Sequence, residues 1–244
     1  MAINNLVLTI EDARAFAKLL LDETGDLFWT ETEQTRLANE ANRAVYRELI
    51  SSNPEYFIKY TGPVSWPSDT ESVDLTGGSY LGQTPYKIIT IEDTDDSGAV
   101  ARDNMAYKWK PMRFVDRFMV NRTAERIVRD VGRFYVVVGK NLYIAPIPNE
   151  SLNVHFYWVP RLPATSNATD TLLRTDQSVE NGAAEEFGDL VGVYLAKLMN
   201  AKQNGNNPVI ESLWVEGLAR MQSNAQSRQI DEPIGVRVTR GPWE

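Results

Sequence analysis

The segment from Phe28 to Phe57 constrains the fold of this 244-residue chain most, because it has the features of one amphipathic helix with signals at both ends. Thr30 is placed to cap the helix, and Glu33 completes the Thr-x-x-Glu pattern of a capping box. Ser51 to Pro54 end it. Its apolar stripe consists of Leu37, Ala41, Ala44, Val45 and Leu49. Because one stripe cannot be buried alone, the segment predicts a packing partner.

Three further helices are predicted from similar patterns. The first spans Glu11 to Asp22, with Thr9 as its capping residue. The third spans Val179 to Lys202, and the fourth follows Asn207, with Pro208 in a favoured first helical position. The predicted buried faces are Ile10, Ala13, Ala17, Leu20 and Leu21 in the first helix, Phe187, Val191, Tyr194, Leu195 and Leu198 in the third, and Ile210, Leu213, Trp214, Gly217 and Met221 in the fourth.

Residues 56–160 have a different rhythm, in which short β-branched or aromatic runs alternate with clusters of Pro, Gly, Asp and Ser. Gly139-Lys140-Asn141 is predicted to form a tight hairpin, which favours an antiparallel sheet over a βαβ array. Pro111 to Phe118 is predicted as a short helix. The predicted strands are Ser72–Leu75, Lys87–Asp93, Arg133–Val138, Leu142–Ala145 and Leu152–Val159.

These elements predict an α+β protein in which helices near both ends bracket a β-rich insert. Residues 1–55 and 161–228 are expected to form a helical bundle, residues 56–160 an inserted antiparallel β-rich domain, and residues 229–244 an extended C-terminal arm. Leu172 and Leu173 are expected to fix the loop that leads back into the helices. Gly188 and Gly192, four residues apart in the third helix, favour close approach of a neighbour.

Composition argues against several classes of function. The chain has no cysteine, so it has no disulfide, thiolate zinc site or cysteine nucleophile, and this fits synthesis in a reducing cytosol. We expect no membrane association, because no apolar run is long enough to span a bilayer and the N-terminus lacks signal-peptide features. A net charge of −8 argues against tight binding to nucleic acids.

The side chains that could support catalysis do not form a recognisable pattern. His155 is the only histidine and lies in a strand-like run, so neither a triad nor a zinc site is indicated. Glu185, Glu186 and Asp189 suit the positive end of a helix dipole better than a hydrolytic pair. The loop Asp93–Gly98 departs from the spacing of a calcium loop. We therefore predict no enzymatic activity, cofactor or metal.

A basic segment stands out in this acidic chain. Between residues 108 and 133 there are eight basic and three acidic side chains. Three interpretations stay open, namely a nucleic-acid patch, a solvated face, and a contact with an acidic face of the next copy in a head-to-tail ring. The candidate residues for the subunit contact are Lys110, Arg113, Arg117, Arg122, Arg126 and Arg129.

The C-terminal arm carries a binding pattern, in which valines alternate with polar residues before a final Gly-Pro-Trp. Such a segment can add a strand to the sheet of another protein and place its aromatic side chain in a pocket. The alternative is an arm that folds back on its own subunit or is disordered. The candidate docking residues are Ile234, Val236, Val238, Pro242 and Trp243.

Three stretches, about two thirds of the chain, share features with one class of virion protein. They are the helix Trp29–Ser52 with its closing Asn-Pro-Glu-Tyr-Phe, the run Tyr143-Ile-Ala-Pro-Ile-Pro148 followed by the strand Leu152–Val159, and the late helix pair with its extended C-terminus. Together they resemble the head-to-tail adaptor, or connector, proteins of tailed bacteriophages of the podophage kind.

The resemblance implies a ring, commonly of twelve copies, beneath the portal at the capsid vertex. Such a ring extends the DNA channel, lets double-stranded DNA pass without specific binding, and offers a docking surface to tail or nozzle proteins. Its extended C-terminus often holds the portal. The chain would then be made in the host cytoplasm and reside in the virion at the head–tail junction, as a structural part without turnover.

Other functions stay open. A tail-completion or tail-tube protein is the nearest alternative, although a tube protein is expected to expose a β-dominated assembly face, which the helical ends argue against. A virion-associated wall hydrolase needs a pair of carboxylates in a cleft. A nucleic-acid-binding accessory protein needs phosphate contacts that weaken with salt.

Overall fold

The computed structural model describes residues 7, 9–23, 29–94, 108–113, 133–164, 167, 169–174, 183–202, 205 and 207–230. These residues form an α+β protein with four α-helices and two β-sheets. The chain divides into a helical unit, residues 1–56 with 164–244, and a β-rich unit, residues 57–163. The helices are α1 (Ile10–Leu20), α2 (Glu31–Ser52), α3 (Ala183–Lys202) and α4 (Pro208–Ile230), and a 3-10 helix spans Pro54–Phe57.

Helices α1 and α2 both begin with a capping box. The Thr9 hydroxyl accepts a hydrogen bond from the Asp12 backbone N–H at 3.2 Å, and the Asp12 carboxylate accepts one from the Thr9 N–H at 2.9 Å. In α2, Thr30 and Glu33 exchange the same two bonds, each at 3.3 Å. The capping box predicted for α2 is therefore confirmed. Each box satisfies N–H groups that the first helical turn leaves without a partner.

The buried face of α2 differs from the predicted stripe. Ala41, Val45 and Leu49 are buried as predicted, but Leu37 and Ala44 are only half-buried. Two polar side chains on the same face, Gln34 and Asn42, are buried in their place and are each 1% exposed. A stripe chosen by apolar character misses them, because their burial depends on partners elsewhere in the fold.

Those partners tie α2 to two distant segments of the helical unit. The Gln34 side-chain oxygen accepts a hydrogen bond from Arg14 Nε in α1 at 3.0 Å. The Asn42 side-chain oxygen accepts one from the backbone N–H of Leu173 at 2.9 Å. Leu172 and Leu173 are fully buried, which confirms the prediction that they fix this loop.

Helix α3 packs against α1, α2 and α4. A Cβ atom at Gly188 would collide with the carbonyl oxygen of Val7, and one at Gly192 would lie 2.6 Å from the Phe16 ring. The prediction that these two glycines allow close approach is confirmed. Because α3 has neighbours on several sides, its buried residues go beyond the predicted stripe, in which Tyr194 and Leu198 are only half-buried. The fully or nearly buried residues of α3 are Phe187, Gly188, Leu190, Val191, Gly192, Val193, Leu195, Ala196 and Met199.

Helix α4 begins as predicted, with the Asn207 side-chain oxygen accepting a hydrogen bond from the Val209 N–H at 3.0 Å. Leu213 is half-buried, and the other four residues of the predicted face are buried. These are Ile210, Trp214, Gly217 and Met221. The helix continues to Ile230, so the prediction that the extended arm starts at residue 229 is wrong by two residues. Residues 231–244 lie outside the described part of the chain.

The β-rich unit contains two sheets. Their strand orders are β1-β7-β3 and β2-β6-β5-β4. All pairs are antiparallel except β4 with β5, which is parallel. The strands are β1 (Lys59–Trp66), β2 (Ser72–Asp74), β3 (Pro85–Thr94), β4 (Lys110–Pro111), β5 (Phe134–Val138), β6 (Asn141–Ala145) and β7 (Leu152–Pro160).

Comparison with the predicted strands gives one confirmation and three corrections. The β5–β6 hairpin is confirmed, with Val138 paired to Asn141 and Gly139 at φ 63°. The expectation of a purely antiparallel region is wrong, because β4 and β5 pair in parallel. Parallel neighbours need a connection longer than a hairpin turn. Pro111 lies in β4 and not at the start of a helix, and residues 114–118 of the predicted helix lie outside the described part of the chain. Strand β1 was missed, because Gly62-Pro63 suggests a turn, whereas an edge strand tolerates proline.

One hydrophobic core draws side chains from both sheets of the β-rich unit. Trp66 and Trp109 meet edge to face, with ring centroids 5.6 Å apart, and Trp66 Nε1 donates to the Thr70 carbonyl at 2.9 Å. Trp158 Nε1 donates to the Thr61 hydroxyl at 3.0 Å. The indole N–H groups of Trp66 and Trp158 are thus satisfied, as buried tryptophans usually require.

We expect Gly188→Ala to destabilise the helical unit by about 1–3 kcal/mol, because overpacking against the backbone of Val7 outweighs the better helix propensity of alanine. Urea unfolding followed by circular dichroism at 222 nm measures this. Gly78→Ala is the matched control, since a Cβ there meets nothing within 4 Å. A Gly188→Ala variant as stable as the control would contradict the close approach.

We expect Asn42→Ala to cost about 1–3 kcal/mol of unfolding free energy, because the buried Leu173 N–H loses its acceptor. Asn39→Ala serves as the control. The Asn39 amide donates to the Thr35 carbonyl of its own helix at 3.0 Å, a contact within one turn, so we expect a change within about 0.5 kcal/mol. Equal effects of the two substitutions would rule out a tether between α2 and the loop.

Candidate functional site

The structure describes two of the predicted subunit-contact residues. Lys110 and Arg113 are both exposed, as is Lys108 beside them. We call residues 108–113 the basic base. They are the described first part of the basic segment, and the remaining basic residues of that segment follow them in the chain. The predicted residues outside the described part of the chain are Arg117, Arg122, Arg126 and Arg129 of the basic segment and Ile234, Val236, Val238, Pro242 and Trp243 of the arm.

The basic base is bonded to both sheets of the β-rich unit. The Trp109 N–H donates to the Ile91 carbonyl of β3 at 2.9 Å. The Lys110 N–H then donates to the Arg133 carbonyl at 2.8 Å, and the Met112 N–H to the Tyr135 carbonyl of β5, also at 2.8 Å. The Trp109 side chain enters the shared core between these contacts. The exposed cations of the base are therefore displayed from a fixed backbone.

A polar cluster, made of Tyr60, Glu92, Lys108 and His155, shares Lys108 with the basic base. Glu92 of β3 and His155 of β7 are direct cross-strand partners, so their side chains lie on one face of the sheet. They are 6% and 2% exposed. Lys108 Nζ lies 3.4 Å from Glu92 Oε1, and the Tyr60 hydroxyl lies 3.0 Å from His155 Nδ1 and 3.1 Å from Nε2.

Burial shifts the pKa values of His155 and of the neighbouring Tyr157. It lowers the pKa of His155, while the nearby Glu92 carboxylate works in the opposite direction with a smaller effect. Burial, followed by the charge of Glu92, raises the pKa of Tyr157 on the same face. His155 is thus neutral at pH 7 and can accept a hydrogen bond from the Tyr60 hydroxyl. A Cβ on Gly62 would collide with the imidazole, so the glycine makes room for the ring.

The cluster is arranged to hold strands together. Its carboxylate is bound to a lysine, and the hydroxyl of Tyr60 lies against the ring nitrogens of its histidine. A general base needs its nitrogen or oxygen free to reach a substrate proton. The geometry therefore fits a structural role for His155 better than a catalytic one.

The carboxylates considered for hydrolysis are in separate surroundings. Asp189 of α3 accepts two hydrogen bonds from Arg220 Nη2 of α4, at 2.7 and 2.8 Å. Glu186 is exposed, and the side chain of Glu185 lies outside the described part of the chain. Asp93 lies in β3, whereas Asp95 and Asp96 are not among the described residues. Asp189 thus joins two helices, a contact that the sequence analysis did not predict.

Formal charge is divided unevenly between the two units. The helical unit has 12 basic and 21 acidic residues, a net charge of −9, whereas the β-rich unit has 13 basic and 12 acidic residues, a net charge of +1. The acidic character of the chain therefore belongs to the helical unit. The basic base lies in the unit that is close to neutral.

His155 stands out in the sequence as the only histidine, but its neighbours in the fold were not predicted. Glu92 is separated from His155 by more than sixty residues, and only the register of β3 on β7 brings them together. The signal that was available is the acidic residue directly after the apolar run of β3, where a carboxylate on a half-buried strand needs a partner.

Neither a protein-family model nor a curated protein sequence matches the chain. Among the helices described, none has the length and apolar character that crossing a membrane requires. In the same part of the chain, no three His, Asp or Glu side chains come together in a way that could hold a metal ion.

We expect the stability of the β-rich unit to fall as the pH drops below about 6.5, the usual pKa of histidine. The folded pKa of His155 is lower than the unfolded one, so the unfolded state binds the proton first and is favoured in acid. Because His155 is the only histidine, its NMR titration is unambiguous and should have a midpoint below 6.5.

His155→Gln is the control, since glutamine keeps a hydrogen-bonding side chain and does not titrate. Denaturant unfolding between pH 5.5 and 7.5 should show a weaker pH dependence in this variant than in the natural chain. An ordinary or raised histidine midpoint would contradict the buried cluster.

Proposed function

We propose that this chain is a structural virion protein that forms a dodecameric ring, joins the portal to the tail and extends the DNA channel, as head-to-tail adaptors do. The observation that carries the proposal is the pair of electrostatically different units on one subunit. A ring built by head-to-tail contact needs two unlike, complementary surfaces on each copy. An acidic helical unit and a basic base on the other unit supply them.

The organisation of the chain supports the same assignment. Segments from both ends of the sequence make up the helical unit, and the β-rich unit is inserted between them. In this proposal the four described helices form a bundle around α3, and the inserted unit presents the candidate contact residues Lys110 and Arg113. The bonds from the basic base to both sheets would let it transmit a load between subunits.

Several features favour a part without turnover. The one histidine is buried in a hydrogen-bonded cluster, and Asp189 is bound to Arg220. A net charge of −8 suits a channel through which DNA must pass without being held. We accordingly propose that the protein is made in the host cytoplasm, resides at the head–tail junction and uses neither cofactor nor metal.

The proposed contacts at the two ends of the ring are the portal on one side and tail or nozzle proteins on the other. Because α4 extends to Ile230, the arm comprises residues 231–244. This arm is the proposed portal-docking element. Its alternating valines and terminal Trp243 suit addition to a sheet edge, with the indole in a pocket.

Co-sedimentation of the purified chain with portal rings of the same virus tests this proposal. We expect the chain to migrate with the portal, and a chain that ends at Ile230 to lose that migration because it lacks the arm. A double variant, Val236→Ser with Val238→Ser, should bind more weakly. Val209→Ser with Val215→Ser is its matched control, since these valines are exposed on α4 and outside the arm.

A chain that never joins the portal at any ratio would contradict the adaptor assignment and favour another tail component. Portal binding that survives removal of residues 231–244 would leave the adaptor role in place and refute the role of the arm.

A further inference from the structure

Helix α1 presents a charged stripe to solvent. Glu11, Ala15 and Asp22 are exposed, and Lys18 between them is half-buried. The intervals of four and three residues keep Glu11, Ala15 and Lys18 on one side of the helix, because each interval is close to one turn of 3.6 residues. Asp22 follows the C-cap Leu21 and has φ 55°, so it extends this charged sequence just beyond the last helical turn.

Helix α2 presents a stripe with the same spacing. Arg36, Glu40, Arg43 and Arg47 are exposed and again follow intervals of four, three and four residues. The first and last residues of each stripe are eleven positions apart, which corresponds to about 16 Å along a helix axis. The two stripes therefore share the same spacing in the sequence.

Read in opposite directions, the two stripes are complementary in charge. Glu11 then faces Arg47, and Asp22 faces Arg36. Lys18 faces Glu40, and the small Ala15 leaves room for the long Arg43. We propose that α1 of one copy packs antiparallel to α2 of the next copy through these stripes, a contact that rests on the proposed ring and defines how its subunits meet.

In the described part of the chain, four of the seven charged residues of the two stripes take part in no ion pair. Among the described residues, Glu11 and Asp22 have no cationic partner, and Arg43 and Arg47 have no carboxylate partner. The pair Arg36–Glu40 is long, at 3.9 Å, and both side chains are well exposed. All of these residues lie on exposed sides of their helices.

An apolar side chain next to the α1 stripe adds to the complementarity. Leu19 is 61% exposed, and it is one turn from Ala15. The methylene groups of arginine side chains cover apolar surface while their guanidinium groups stay in water. Leu19 of one copy can therefore pack on the stems of Arg43 and its neighbours in the next copy.

Such a contact is heterologous, because it uses α1 on one subunit and α2 on the other. Each copy keeps one free stripe after the first contact, so association continues, and it gives a ring where the rotation between successive copies closes. Exposed charge pairs contribute more to register and orientation than to affinity. The contact therefore sets the geometry of the ring, while other surfaces, such as the basic base, add to its stability.

Two variants of the full chain test the contact by sedimentation velocity. The all-basic variant, Glu11→Arg with Asp22→Arg, makes both stripes positive, and the all-acidic variant, Arg36→Glu with Arg47→Glu, makes both negative. We expect each variant alone to lose self-association, and an equimolar mixture to regain it with the two kinds of subunit alternating. The control for the all-basic variant is Glu48→Arg with Glu216→Arg, which makes the same change in net charge on exposed residues outside the stripes.

The mixture also controls for folding, since a misfolded variant cannot be rescued by its counterpart, and circular dichroism verifies each variant. Self-association of either variant alone, failure of two folded variants to associate when mixed, or a natural chain that is monomeric at every concentration would overturn the contact. A chain that self-associates in this way but ignores the portal would keep the contact and refute the adaptor function, so the two failures are distinguishable.

Discussion

The close approach of helix α3 to the N-terminal segment is the constraint on which the helical unit depends. Gly188 and Gly192 remove the side chains that would keep Val7 and Phe16 away, so α3 can pack against α1, α2 and α4 together. Because α1 and α2 each bury one face in this arrangement, their opposite faces must point to solvent. The two charged stripes proposed as the subunit contact are a consequence of that packing.

The β-rich unit holds the basic base in place. Trp109 enters the core while the backbone on either side of it bonds to β3 and β5. Lys108 binds Glu92 of β3, and Glu92 lies opposite His155 of β7. The polar cluster thus connects the first residue of the basic base to the three-stranded sheet β1-β7-β3. Burial keeps the histidine neutral and makes this tie sensitive to acid.

Local signals in the sequence were sufficient to predict where several helices and turns begin or end. They were insufficient to predict which distant segments contact each other in the fold. Thr30 with Glu33, Asn207 with Pro208, and the glycine of the β5–β6 turn act within a few residues, and each was predicted correctly. The burial of Gln34 and Asn42 and the pairing of Glu92 with His155 depend on segments far apart in the chain. Strand β1 was hidden by Gly62-Pro63, which signals a turn unless the strand is known to lie at an edge.

Electron cryo-microscopy of the assembled chain tests the central claim, that the subunits form a ring through unlike surfaces, most directly. The account predicts a closed ring with rotational symmetry, in which α1 of each subunit runs antiparallel to α2 of the next and Glu11 lies beside Arg47. A twofold dimer in which the same helix of both copies meets itself would contradict it, because such an interface closes after two subunits and leaves no channel for DNA.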